Sequence, residues 1–134
     1  ERVVMEEPER ALAIIDRLRQ RDIRVALDDF GVGYSSLSYL MKLRPDTLKI
    51  DRSFVMSAMS DKVAATVLES IVAMALRLGV RLVAEGIETE QHREYLACLG
   101  AHSLQGYLYG PAVDAASFGR ELAADYEARK QKNR

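Results

Sequence analysis

Ile23-Arg24-Val25-Ala26-Leu27, followed at once by Asp28-Asp29-Phe30-Gly31-Val32-Gly33, is the stretch that decides the fold class. A short run rich in apolar and β-branched residues reads as a strand, and adjacent acids with two glycines read as its end and the turn beyond it. The same grammar recurs downstream. Thr47-Leu48-Lys49-Ile50 reads as a second strand with Asp51 just past it. Val80 to Ala84 reads as a third, followed by Glu85-Gly86-Ile87-Glu88, and Ser103 to Gln105 as a weak fourth, followed by Gly106-Tyr107.

Helical patterns separate these strands. Residues 8–20 place Leu12, Ile15 and Leu18 on one helix face, with Pro8 in the first turn. Ser35 starts a helix containing Leu37, Leu40 and Met41, which Pro45-Asp46 ends. Asp61 caps the longest helix, 61–78, whose apolar side is expected to carry Val63, Val67, Ile71, Met74, Ala75 and Leu78, with Gly79 closing it. Thr89 caps a helix that closes at Gly100, and Asp114 caps a last helix with a basic tail. Strand and helix thus alternate about four times, and the strands are apolar enough to be covered on both faces, which predicts a parallel α/β sheet. Two architectures fit: a doubly wound open sheet, or part of a TIM-like (β/α)8 barrel. A whole barrel takes about 250 residues, so 134 residues make about half of one.

Composition narrows the function classes. Hydrophobic residues at 49% and charged residues at 29% predict a globular chain. Nineteen basic against twenty acidic residues argue against a binder of nucleic-acid polymers held by phosphate neutralisation. No apolar run approaches the roughly 20 residues of a membrane span, and the opening Glu-Arg-Val-Val is not a signal peptide. The single cysteine, Cys98, excludes an internal disulfide and a multi-cysteine zinc site, and reads as core filler. These features predict a cytoplasmic location, which includes the cytoplasmic part of a membrane-anchored protein.

In either architecture, function gathers at the carboxyl ends of the strands. Asp28 and Asp29, Lys49, Glu85 and Glu88, and Gln105 fall there. Adjacent carboxylates repel unless a cation or solvent compensates, and oxygen-rich clusters suit magnesium or manganese. Each residue also has a plainer reading. An Asp pair before glycine initiates turns, a strand-end lysine snorkels, Glu85 can sit in a βα loop, and Glu88 can serve the start of the next helix. His92 reads as a surface residue, His102 as structural, and Tyr34, Tyr39, Tyr107 and Tyr109 as packing residues. The coincidence of acids, a lysine and an amide at successive strand ends favours a site.

Asp28-Asp29-Phe30-Gly31-Val32-Gly33-Tyr34-Ser35-Ser36-Leu37, Leu48-Lys49-Ile50-Asp51, Ala84-Glu85-Gly86-Ile87-Glu88-Thr89 and Gln105-Gly106-Tyr107 resemble, in order and spacing, the EAL-domain family of bacterial cyclic-di-GMP phosphodiesterases. The resemblance implies a modified (β/α)8 barrel that hydrolyses cyclic-di-GMP to the linear dinucleotide pGpG, with Mg2+ or Mn2+ at a two-metal site. It implies that Asp28 and Asp29 ligate metal, that Lys49 holds the attacking water and the nearby phosphate, and that Glu85 is the general base. It further gives Glu88 the role of steadying the Asp-Asp-Phe-Gly loop, makes Gln105 a substrate-binding residue, and matches Glu1 to a metal-ligating glutamate ending an earlier strand. The Glu-Ala-Leu tripeptide and the family's asparagine ligand are absent, the only asparagine being Asn133. Residues 1–134 therefore resemble the C-terminal half of the domain, and this segment alone is expected to be inactive and to associate. The basic residue the family places before the proline of Tyr109-Gly110-Pro111 is also missing. Implied partners are cyclic-di-GMP, a second copy in a homodimer, and sensory or GGDEF-type domains on the full-length chain. Three other readings are a catalytically inactive cyclic-di-GMP receptor, a phospho-receiver domain of doubly wound type, and a scaffold.

Overall fold

The computed structural model describes residues 8–32 and 37–132. The elements run α1 (Pro8–Arg19), β1 (Ala26–Phe30), α2 (Leu37–Leu43), β2 (Thr47–Ile50), α3 (Arg52–Ser60), α4 (Lys62–Arg77), β3 (Arg81–Ala84), α5 (Glu90–Leu99), β4 (Ser103–Leu104) and α6 (Ala115–Lys132). The four strands are parallel and lie side by side in chain order, β1-β2-β3-β4. A doubly wound sheet reverses its order at a switch point, whereas a barrel is wound in one direction. The sequential order therefore decides for the barrel type. Glu1, Tyr34 and the helix start at Ser35 lie outside the described residues, as does the side chain of Tyr39.

Strand alternation divides the sheet into two faces. On β2, Leu48 and Ile50 are fully buried while Thr47 and Lys49 are half-buried on the other face. On β3, Leu82 and Ala84 are buried, and they lie opposite Leu48 and Ile50 in the register. This face packs against the helical layer through Val55, Leu68, Val72, Ala75 and Leu96. Thr47, Lys49 and Val83 line the opposite face, which is the interior side of a closed barrel.

Several local expectations are corrected. The first strand spans residues 26–30, not 23–27, and so includes both aspartates. Its ladder partner starts only at Thr47, two residues after Pro45, so Ile23 and Arg24 have no strand beside them among the described residues. Helix α3 follows the second strand directly; Asp51 caps it, its side chain accepting from Ser53 N at 2.7 Å. On α4 the buried stripe is Leu68, Ile71, Val72 and Ala75, spaced i, i+3, i+4, i+7, whereas Val63 is 72% exposed. Apolar residues ring most of this helix, and the better-spaced stripe takes the sheet. Cys98 is exposed, because α5 turns Leu96 inward. His102 Nδ1 accepts the Leu82 amide at 3.1 Å, a structural role.

Behind β4 the chain turns tightly over its neighbour. A Cβ on Gly106 would lie 2.1 Å from Ile87 O and 2.2 Å from Ile87 N. Ile87 N donates to Gln105 O at 3.0 Å and Leu108 N to Ile87 O at 2.9 Å, so a side chain here must break this pairing. Gly79 has nothing within 4 Å and only a φ of +71° to satisfy. We expect Gly79→Ala to cost about 1–2 kcal/mol from backbone strain alone. Gly106→Ala should cost distinctly more in the same thermal melt, and equal losses would show that the close approach to Ile87 is not formed.

Candidate active site

The site begins with an irregularity in β1. The register with β2 shifts between Leu27 and Phe30, and Asp29 adopts φ +55°. Left-handed backbone at a non-glycine residue is uncommon, and aspartate tolerates it better than most. In a regular strand Leu27 and Phe30 would face opposite sides. The bulge lets both join the helical core, Phe30 being 2% exposed, while Asp28 and Asp29 are both exposed. Carboxylate oxygens of Asp28, Asp29 and Glu85 come within 4.8 Å of one another. Glu85 is placed at the end of β3 by its backbone N–H, which donates to Ile50 O at 3.0 Å.

Lys49, on the strand between, joins these acids. Its Nζ lies 2.8 Å from Asp28 Oδ1 and 2.5 Å from Glu85 Oε1. Hydrogen bonds to Asp28 first, then to Glu85, hold the ammonium above the ordinary lysine range. The same bond from Lys49 lowers the Asp28 carboxyl below its ordinary value, against a smaller opposing effect of burial and aided by the Asp29 N–H at 3.1 Å. Three carboxylates are a hard oxygen donor set of the kind that holds Mg2+ or Mn2+. Oxygens about 2.1 Å from one such ion lie up to about 4.2 Å apart, so the set fits after a shift of a few tenths of an ångström.

Beside this cluster lies a cleft of about 740 Å³, bordered by Arg52, Glu85, Glu88, Gln105, Tyr107 and Pro111 among others. Its size is that of a small-ligand site. Gln105 is fixed there through its backbone, its N–H donating to Ala84 O at 2.8 Å. Tyr107 and Tyr109 line the cleft and are 71% and 57% exposed, so they are not the packing residues expected. Glu88 has Arg52 as its ion-pair partner among the described residues, Oε1 to Nη2 at 2.7 Å. The sequence reading missed Arg52 because it missed α3; an aspartate two residues before a serine, then apolar Phe54, Val55 and Ala58, was the available signal.

The sequence profile of the EAL domain matches residues 1–112. The chain belongs to the EAL family. Among curated EAL relatives, the probable cyclic di-GMP phosphodiesterase PdeD of Escherichia coli K12 is 46% identical over 110 residues, 82% of this chain and 21% of PdeD. Among solved EAL structures, the PaMucR phosphodiesterase in its c-di-GMP complex, from Pseudomonas aeruginosa, superposes with a TM-score of 0.78 at 40% identity, covering 86% of this chain and 47% of that one. A manganese/cy-diGMP complex of Klebsiella pneumoniae BlrP1 superposes with a TM-score of 0.73 at 32% identity, over 78% of this chain and 27% of that one. The chain thus spans about a fifth of PdeD and about half of the MucR structure.

The Lys49 contact makes a pH prediction. A carboxyl whose folded pKa is depressed adds stability above its unfolded value, about 3.9, and loses it as pH falls through the folded value. In carboxyl-carbon NMR of the metal-free chain, Asp28 should titrate below free aspartate, and Lys49→Met should return it upward. The Asp28 side chain is 59% exposed, so the stability at stake is below about 1 kcal/mol. An Asp28 that titrates at or above the ordinary value would mean that the pair does not form in solution.

Proposed function

We propose that residues 1–134 form the C-terminal half of an EAL phosphodiesterase domain, and that the completed domain hydrolyses cyclic-di-GMP to pGpG. The observation that carries this reading is the convergence of Asp28, Asp29 and Glu85 at one rim of a parallel sheet, with the Lys49 ammonium paired to Asp28 and Glu85. A purely structural role leaves that rim unexplained, since three acids beside one ammonium keep a net negative charge that a bound cation would offset.

In this reading Asp28 and Asp29, with Glu1, would hold Mg2+ or Mn2+, together with upstream ligands from the other half of the barrel. The bound ions supply Lewis acidity toward the phosphodiester and lower the pKa of water. Glu85 accepts the proton of the attacking water. A bond forms from that water's oxygen to phosphorus, and one phosphodiester P–O bond breaks, its ribose oxygen leaving as a hydroxyl with a proton taken from solvent, so that the ring opens. Lys49, held firmly cationic by its two acids, faces the negative charge that builds on the phosphoryl oxygens. Gln105 and the tyrosine-bordered cleft receive the nucleotide.

The resemblance also implies a homodimer and attached sensory or GGDEF-type domains. A surface for the dimer is available on the outer side of α4, where Val63 and Val67 are 72% and 45% exposed. Sedimentation of the completed domain should give a dimer, and Val67→Asp should shift it toward monomer; identical monomeric mass for both would remove α4 from the assembly.

The catalytic reading is tested in the completed barrel, with manganese-dependent formation of pGpG as the readout. Glu85→Gln should retain cyclic-di-GMP binding and lose turnover by about 10²–10⁴-fold, the usual contribution of a general base. Turnover at the parental rate would remove Glu85 from the chemistry. Nucleotide binding by the parent without any turnover would make the domain a receptor.

A further inference from the structure

We propose that the first turn of α3 is a positioning wedge for the carboxylate site, with Arg52 setting Glu85 and Phe54 setting the Asp28-Asp29 bulge. The wedge deepens the phosphodiesterase reading and rests on it for its consequence in catalysis. Arg52 and Phe54 are two residues apart, and each presses against a glycine beside the acids.

On one side, Gly86 adopts φ +72° directly after Glu85. A Cβ there would lie 2.1 Å from Arg52 Cγ and 2.5 Å from Arg52 Cβ, so the arginine stem lies flat on the backbone of that loop. Its guanidinium then reaches Glu88 at 2.7 Å. Arg52 thereby touches the loop on both sides of Ile87, which is fully buried. On the other side, Gly31 adopts φ +107°, and a Cβ there would lie 2.7 Å from Phe54 Cβ, Cγ and Cδ1. Gly31 is two residues from Asp29. The backbone completes the wedge: Asp51 N donates to Phe30 O at 3.1 Å, and Phe54 N donates to Asp51 O at 3.1 Å.

The ladders end at Phe30, Ile50 and Ala84, just after Asp28 and Asp29 and just before Glu85. Gly31 and Gly86 lie past those ends, and α3, which follows β2 directly, packs on both. An exposed ion pair contributes little to stability, and the Arg52 side chain is 57% exposed. The function of the pair is therefore geometric: it holds the loop against the stem that packs on Gly86. Partners that orient metal-binding groups in this way affect ion affinity strongly. A competing role follows from the same position, because Arg52 also borders the cleft and can meet a substrate phosphate directly.

The two roles separate experimentally. In the completed domain, the Mn2+ dissociation constant is read from the EPR signal of free Mn2+, and kcat and KM from cyclic-di-GMP hydrolysis. Arg52→Ala should weaken Mn2+ by about tenfold and lower kcat, leave KM within about twofold, and be rescued to within about threefold by Arg52→Lys. Glu88→Gln should act in the same direction, and the Arg52→Ala/Glu88→Gln double variant should be no worse than the stronger single, since both cut one contact. Unchanged Mn2+ affinity with raised KM would overturn the wedge and make Arg52 a substrate contact; additive losses would overturn the coupling to Glu88. A parent that binds Mn2+ without hydrolysing cyclic-di-GMP would sink the phosphodiesterase reading, while the wedge would still stand or fall on the Mn2+ constants.

Discussion

Three neighbouring parallel strands deliver acids and a base to one rim, and the charge balance there is the constraint on which the rest depends. Asp28 and Glu85 flank Lys49, one on each side. Like charges this close raise each other's energy, and a single ammonium on the middle strand offsets the repulsion. That arrangement needs parallel strands, so that residues 28, 49 and 85 share an end of the sheet, and sequential order, so that Lys49 stands between the two acids. It also needs the opposite face to be apolar, so that Leu48, Ile50, Leu82 and Ala84 can bury while Lys49 faces away from them.

The second requirement is local distortion. A regular β1 would place Asp28 and Asp29 on opposite faces of the sheet. The bulge at Asp29 puts both beside Glu85 and lets Leu27 and Phe30 both enter the core. Site and core are thus coupled: the burial of Phe30 compensates a left-handed aspartate, and α3 presses on the glycine that follows. Backbone strain of this type persists where surrounding packing over-determines it.

The positions of β2, β3 and β4 and the acids near the strand ends were legible in the sequence because strand patterning and turn residues are local signals, whereas β1 starts three residues later than its apolar run. The same held for the caps at Asp61 and Thr89, whose side chains accept from Ala64 N and His92 N. The bulge was not legible, since its register shift depends on where β2 begins. Helix α3 was passed over because nine residues give little periodicity between a strand and a longer helix. With it went Arg52 and its contacts to Gly86 and Glu88. The buried stripe of α4 was read rightly at Ile71 and Ala75 and wrongly at Val63, Val67 and Leu78, because its apolar residues exceed one face. The family pattern assigned Asp28, Asp29, Lys49 and Glu85 to one site, and the geometry brings those four together.

Asp28 and Asp29 of β1 and Glu85 just past β3 form one rim suited to a cation. Paramagnetic broadening by substoichiometric Mn2+ tests it most directly, read on the carboxyl signals of each Asp and Glu. Broadening that reaches Asp28, Asp29 and Glu85 first, at the same Mn2+ concentration, is the predicted result. Broadening centred on other exposed acids, such as Glu121 and Asp125 of α6, with those three signals unaffected, would contradict it.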